Sequence, residues 1–318
     1  MVIFKNTGSP SVVGAFEDRE ILYAFHDIDG THSLIRDWPP VMSIVLHYVS
    51  EGGVPEGYDS DENLRKIIDM TGKKPLPETD SFCIESAGLS ALTQMEWAIR
   101  RAIDFGHIDI PCDKEDNRAK IEMIRKGGEI FEKPDSPELS AFLAVHTPRL
   151  FKFYEKVLNG FCRDKNLAIA KKDPDRFIVD GSKEFLAYLH DNGVKNYFVT
   201  GAVVEKGMGM HEEVETLGFE IGEGKLIEDL IGSTWTDKIP KDQIMERLLE
   251  KLGADGKNVL VIGDGRSEIS AGVGMGALCV SRLEKKDAYR RNLHTRLGTN
   301  ILVESYHEED FKALMSTK

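Results

Sequence analysis

The sequence predicts an α/β fold: a doubly wound parallel sheet with a mainly α-helical domain inserted into it. Three observations carry that expectation. The apolar run Ile21–His26 stops abruptly at acids and a glycine, as a buried strand feeding a loop does. From about Asp180 onward, apolar runs alternate regularly with amphipathic stretches. Between these two regions, from His32 to Phe177, only helical patterns occur. The expected boundaries are therefore an α/β domain over residues 1–32 and 178–318, and a helical domain over 33–177.

The elements follow in order. The first twenty residues are read as an extra strand or hairpin, and Ile21–His26 as the first buried strand. Helical patterns cover Pro39–Val49, Glu62–Met70, a long Ile84–Ile103, Glu115–Ile130 and Ser140–Cys162, separated by Gly/Pro/Asp-rich breaks. Gly181–Asn192 is a helix stopped by Gly193, and Val194–Ala202 a strand. Glu205–Phe219 is a helix weakened by Gly207 and Gly209. Pro240–Leu252 is strongly amphipathic, with Ile244, Leu248 and Leu249 on one face. Lys257–Gly263 is a strand, Ser267–Gly276 a small-residue helix and Ala277–Arg282 a strand. Asn300–Ser305 is a last strand and Glu308–Met315 the final helix.

Composition excludes several function classes. The chain has 318 residues, 41% of them apolar and 30% charged, with a net charge of −13. That acidic balance argues against a general nucleic-acid or anionic-membrane binder, yet leaves room for a small anionic substrate met by a local cluster of cations. Cys83, Cys112, Cys162 and Cys279 form neither a CxxC pair nor a zinc-like spacing, so they read as reduced, mostly buried residues. Nine histidines show no HxH or HExxH spacing, so no zinc site is expected. The N-terminus has no apolar signal core and no apolar run is long enough to span a bilayer, so the expected location is cytoplasmic.

Four short pieces carry chemistry, each placed where a strand ends. In Asp27-Ile28-Asp29-Gly30-Thr31, two carboxylates two residues apart can face one pocket, one as nucleophile or metal ligand and the other as acid/base. A solvated turn explains them equally well. Thr200-Gly201 offers a hydroxyl and backbone N–H groups to a phosphate oxygen, or a helix cap. Lys238 precedes the Pro240 helix and could neutralise a phosphate, with Lys241 competing for that role. Asp264 and Glu268, four apart and flanked by glycines, suit a hard cation such as Mg²⁺, although Asp264 also fits a helix cap. A dinucleotide GxGxxG reading fails, because Glu268 stands at the third glycine.

Taken together, the order and spacing of these four pieces resemble the haloacid dehalogenase superfamily. DIDGT, the strand running into Thr200, Lys238 and GDGRSE match its four motifs in order. The resemblance implies a Rossmann-like core and a helical cap inserted after the first strand, longer here than the usual small cap. It implies that Asp27 attacks phosphorus to form an aspartyl-phosphate, and that Asp29 protonates the leaving group and then activates water. Thr200, Gly201 and Lys238 would hold phosphate oxygens. Mg²⁺ would sit on Asp27, the Asp29 main-chain carbonyl and Asp264, with Glu268 behind them. Halide-displacing relatives lack an acid at the position of Asp29, so the expected function is a Mg²⁺-dependent phosphatase acting on a small phosphorylated metabolite, such as a sugar phosphate. The alternatives are a phosphomutase or a non-catalytic binding protein on the same fold. Arg36 and Trp38, near the first hinge, are candidates for substrate contacts, as a cation and an aromatic face.

Overall fold

The computed structural model describes residues 1–87, 89–128, 131–234 and 239–317. The strands are β1 (Val2–Phe4), β2 (Arg19–Ile21), β3 (Tyr23–His26), β4 (Lys195–Val203), β5 (Asp229–Ser233), β6 (Val259–Gly263), β7 (Leu278–Arg282), β8 (Ile301–Val303) and β9 (Met315–Thr317). The helices are α1 (Trp38–Gly52), α2 (Asp61–Met70), α3 (Pro77–Glu85), α4 (Ala91–Asp104), α5 (Lys114–Arg125), α6 (Pro137–Leu158) and α7 (Asp164–Ala170). They continue with α8 (Ser182–Asp191), α9 (Met210–Thr216), α10 (Lys241–Leu252), α11 (Arg266–Gly274), α12 (Ala288–Leu297) and α13 (Glu309–Lys312). Among the described residues, no helix is long and apolar enough to cross a membrane.

The chain divides into two compact units. One holds Met1–Ile35, Leu167–Thr234 and Ile239–Lys318, and contains both sheets. Its main sheet runs β5-β4-β3-β6-β7-β8, with every neighbouring pair parallel. The α/β expectation is met, and β3 lies at the centre. Alternate residues of the strands face opposite layers. Phe25, Val199 and Val261 pack with Ile244, Met245 and Leu248 of α10 and Ile269 of α11. Ala24, Leu260 and Ile262 pack with Phe185 and Leu189 of α8 and with Tyr306 and Phe311. Helices thus cover both faces, as a buried parallel sheet requires.

The N-terminal residues do form strands, in a small antiparallel sheet β2-β1-β9 that joins the two ends of the chain. The run expected as one strand from Ile21 is therefore split: Ile21 belongs to this small sheet, and β3 starts at Tyr23. Strands β5 and β9 and helices α7 and α12 have no counterpart among the expected elements. Strand β5 is a half-polar edge strand, and α12 buries little besides His294. The helix expected over Glu205–Phe219 is confined to α9, because Gly207 and Gly209 both take positive φ.

The other unit holds Arg36–Asn166 and is helical. The long helix expected over Ile84–Ile103 is realised as α4, which starts after Ser90, while the preceding α3 ends at Ser86 and begins within GKKPLPETD, expected as a break between helices. Phe82 and Trp97 stack across this pair with ring centroids 3.8 Å apart. Arg100 is fully buried and pairs with Glu96 at 2.7 Å and Asp135 at 2.6 Å. Helix α6 ends in a π-helical turn, Asn159–Arg163, within the stretch expected as one continuous helix. The guanidinium of Arg36 pairs with Glu155 at 3.3 Å, and Trp38 opens α1 ahead of Pro39 and Pro40.

One buried group gives the fold a pH dependence. His294 is 1% exposed, its Nδ1 lies 2.8 Å from Ser281 Oγ, and burial pushes its pKa down to about 4. A histidine in the unfolded chain takes up its proton near pH 6.5. The unfolded state therefore binds the proton first, and this contribution to stability is complete above pH 6.5 and lost as pH falls toward 4. The expected slope is about 1.4 kcal/mol per pH unit. In urea titrations across that window, His294→Asn should be flatter than wild type by about this slope; parallel profiles would contradict the assignment.

Candidate active site

Strands β4, β3 and β6 are neighbours and parallel, so their C-terminal ends lie on one edge of the sheet. The order changes direction there, since β4 and β6 flank β3 on opposite sides, which is where open α/β sheets place ligands. Strand β3 ends at His26 and delivers Asp27 directly, its N–H held by the Ile262 carbonyl of β6 at 2.8 Å. The chain then turns tightly, because the Ile28 carbonyl accepts from the N–H groups of Thr31, His32 and Ser33. Asp29, half-buried in this turn, bridges to Ser33. Gly30 is required twice over. Its φ is +75°, and a Cβ there would stand 2.5 Å from Asp264 Oδ2.

Strand β6 ends at Gly263 and passes through Asp264 and Gly265 into α11. Glu268, in the first turn of α11, is 2% exposed and reaches back to accept from the Gly265 N–H at 2.6 Å. A side chain at Gly263 or Gly265 would collide with that carboxylate, so the glycines expected to flank a cation site instead make room for Glu268. Thr200 lies within β4, not after it. The strand continues to Val203 across an irregularity in its pairing with β5, and Thr200 Oγ1 accepts from the Ala202 N–H at 3.1 Å.

Lys241 closes the cluster. It is the first residue of α10 and 2% exposed, with its ammonium 2.5 Å from Asp27 Oδ1 and 3.2 Å from Glu268 Oε2. Lys238 lies outside the described residues, so the ion pair drawn here belongs to the competing lysine. Asp27, Asp264 and Glu268 each bring a carboxylate oxygen within 4.8 Å of the others. Arg290 of α12 donates to Asp264 at 3.1 Å while its Nε holds Asp287 at 2.5 Å. No local pattern marked Arg290, which becomes a site neighbour only through folding. Arg36 and Trp38 belong to the helical unit.

The electrostatics follow from burial and crowding. Desolvation, with the Glu268 charge adding to it, raises the Asp27 carboxyl above its ordinary range despite Lys241. Burial and the two neighbouring carboxylates push Asp264 up to about 7, against Arg290 and Lys241. Glu268 goes the other way: burial would raise it, but the Lys241 ammonium and backbone N–H donors hold it low. For Lys241, burial disfavours the charge, yet its two carboxylate partners keep it firmly protonated. The arrangement is a short chain of opposite charges, in which Glu268 anchors Lys241 and Lys241 meets Asp27. Its oxygen-rich donor set is short of positive charge, which fits a hard divalent cation.

A family model described as haloacid dehalogenase-like hydrolase matches residues 96–276. No curated protein matches the chain. Among solved structures, a predicted phosphatase from Clostridium acetobutylicum is 14% identical, covering 93% of this chain and 99% of that one, with a TM-score of 0.48. A β-phosphoglucomutase from Clostridium difficile is 13% identical, covering 92% of this chain and 95% of that one, with a TM-score of 0.47. A phosphonoacetaldehyde hydrolase-like protein from Oleispira antarctica is 14% identical over 92% of each chain, also at 0.47.

Proposed function

The chain belongs to the haloacid dehalogenase-like hydrolases, and from that premise we propose that it is a phosphatase that cleaves a small phosphorylated metabolite through an aspartyl-phosphate on Asp27. The observation that carries this reading is the buried cluster in which Lys241 bridges Asp27 and Glu268 beside Asp264. Phosphoryl transfer asks the protein for position and charge neutralisation more than for covalent chemistry. Lys241 holds Asp27 Oδ1, and Oδ2, which accepts a long hydrogen bond from the Thr31 hydroxyl at 3.4 Å, is the oxygen that attacks phosphorus. As the Asp27–phosphorus bond forms, the ester oxygen departs and takes the proton of Asp29. Asp29, now a carboxylate, removes a proton from water; that water attacks phosphorus, releasing inorganic phosphate and restoring Asp27. Thr200 and the backbone at Gly201, with Lys241, would meet the phosphate oxygens.

Mg²⁺ fits the donor set, held by Asp27, the Asp29 main-chain carbonyl and Asp264, with Glu268 behind. When bound it supplies the charge that reconciles an anionic nucleophile with an anionic phosphate. The helical residues 33–177 would serve as a cap carrying specificity, with Arg36 and Trp38 as its candidate substrate contacts.

The test is phosphate release from a panel of phosphorylated metabolites with Mg²⁺ present. Release from one compound class supports the reading, no release from any sinks it, and an isomerised product without phosphate points to a mutase. Metal binding is read separately, by thermal unfolding in EDTA and in Mg²⁺. A ligand at a hundredfold excess over its Kd stabilises by about 2.7 kcal/mol. Mg²⁺ should raise the Tm of wild type and leave that of Asp264→Asn unmoved. Equal shifts in both proteins would remove Asp264 from the metal site.

A further inference from the structure

The two residues that bracket the Asp27–Thr31 loop are both histidines, both are fully buried, and they touch. His26 Nδ1 lies 2.9 Å from His32 Nε2. His26 Nε2 lies 3.2 Å from Asn196 Oδ1 in β4, and His32 Nδ1 lies 2.6 Å from Ser182 Oγ at the start of α8. The Asn196 amide nitrogen faces two backbone carbonyls, those of Leu186 and Leu226, each at 3.1 Å. Two acceptors on one side force the NH₂ group there, so Oδ1 must face His26.

With both rings neutral, that one constraint orders every proton. Asn196 Oδ1 can only accept, so His26 carries its proton on Nε2 and leaves Nδ1 bare. His32 must then donate from Nε2, which leaves its own Nδ1 bare and makes the Ser182 hydroxyl the donor. All four side chains are satisfied in one direction and buried away from competing water. Tyr306 completes the enclosure. Its ring stacks on His32 at 5.2 Å, and its hydroxyl donates to the Thr31 carbonyl at 3.0 Å.

We propose that His26 and His32 are positioning residues, and that the one-way chain Ser182→His32→His26→Asn196 clasps the two ends of the Asp27–Thr31 loop and holds its carboxylates in place. The proposal rests on the reading of Asp27 and Asp29 as the reacting groups. A bare steric filling of the same space would not order the protons, and it would not span from β4 to α8 across the loop. Misplacing reacting groups by about 1 Å can cost about 100-fold in rate.

The direct test is side-chain ¹⁵N NMR of the full-length wild-type chain labelled on histidine. Expected are Nε2–H tautomers for both rings and a ¹⁵N–¹⁵N coupling across the His32 Nε2–H···Nδ1 His26 bond. A proton on either Nδ1, or no coupling, would overturn the chain. The functional half uses His32→Leu and His32→Gln, since a glutamine amide reaches the place of Nε2 and can still donate to His26. His32→Leu should lower kcat for phosphate release by about 10–100-fold with KM little changed, and speed amide exchange at Thr31–Ser33. His32→Gln should recover most of both. Equal behaviour of the two variants, or wild-type kinetics and exchange in His32→Leu, would refute positioning. Amide exchange and NMR need no substrate, so they decide the clasp even if the phosphatase reading fails.

Discussion

Asp27→Asn is expected to lower kcat for phosphate release by about 10⁴-fold or more while the protein stays folded, because losing a covalent nucleophile removes the reaction path itself. An amide at this position keeps the shape and still accepts from Lys241, but it cannot form the acyl-phosphate. The fold should tolerate the change, since the carboxyl sits above its ordinary pKa range through burial and the Glu268 charge even with Lys241 beside it. Lys241 also keeps its second partner, Glu268, at 3.2 Å. Stability should therefore change by no more than about 1 kcal/mol. Steady-state kinetics beside urea unfolding separate the two effects. A variant retaining a tenth of wild-type kcat would remove Asp27 from the chemistry.

Lys241→Met carries the second large effect, and it falls on stability as well as rate. The ammonium is 2% exposed and meets two carboxylates, so its removal leaves Asp27 and Glu268 facing each other without compensation. Breaking a buried pair in this way costs about 3–5 kcal/mol. The sign with pH is determined by the carboxylates left behind. Glu268 is held below its ordinary range by Lys241 against burial, and that contribution to stability is present above its unfolded pKa. Without the ammonium, the folded-state carboxyl pKa values rise, so the penalty is full at alkaline pH and fades as pH falls and the groups protonate. Urea titrations near pH 8 and near pH 5 should show a larger deficit at the higher pH. A deficit that grows with acid would contradict the charge chain. Phosphate release should fall by about 10²–10³-fold, the usual cost of one buried donor at a developing charge.

How far the sequence reached can be judged from particular residues. Strands β3 and β6 were legible because uninterrupted apolar runs end at Asp27 and Gly263, and a parallel strand buried on both faces needs such a run. Strand β5 was not, because an edge strand that starts at Asp229 and buries only Leu230 and Ser233 of its five residues lacks that signature. Helix α12 went unread for a related reason: apart from His294 it is largely polar, and its place is set by its neighbours. The pairing of Asp264 with Glu268 was visible in spacing, whereas the role of Glu268 was not. Only the fold shows that it takes the Gly265 N–H and the Lys241 ammonium. Of the two candidate lysines, Lys241 opens α10 and meets Asp27 and Glu268, a contact that depends on where the helix begins, while Lys238 lies outside the described residues. Asn196 and Tyr306 lie far along the chain from the loop they support, as Arg290 does from Asp264, and no local pattern can announce such contacts.

Covalent catalysis by Asp27 leaves a phosphorylated aspartate that rapid acid quenching can trap. The protein is mixed with a hydrolysed substrate and Mg²⁺, quenched in acid within one turnover, digested and read by mass spectrometry. One phosphoryl group on the peptide bearing Asp27, lost on brief alkaline treatment and absent from Asp27→Asn, is the predicted result. Phosphate release with no phosphorylated peptide at any quench time, or label that persists in Asp27→Asn, would contradict it.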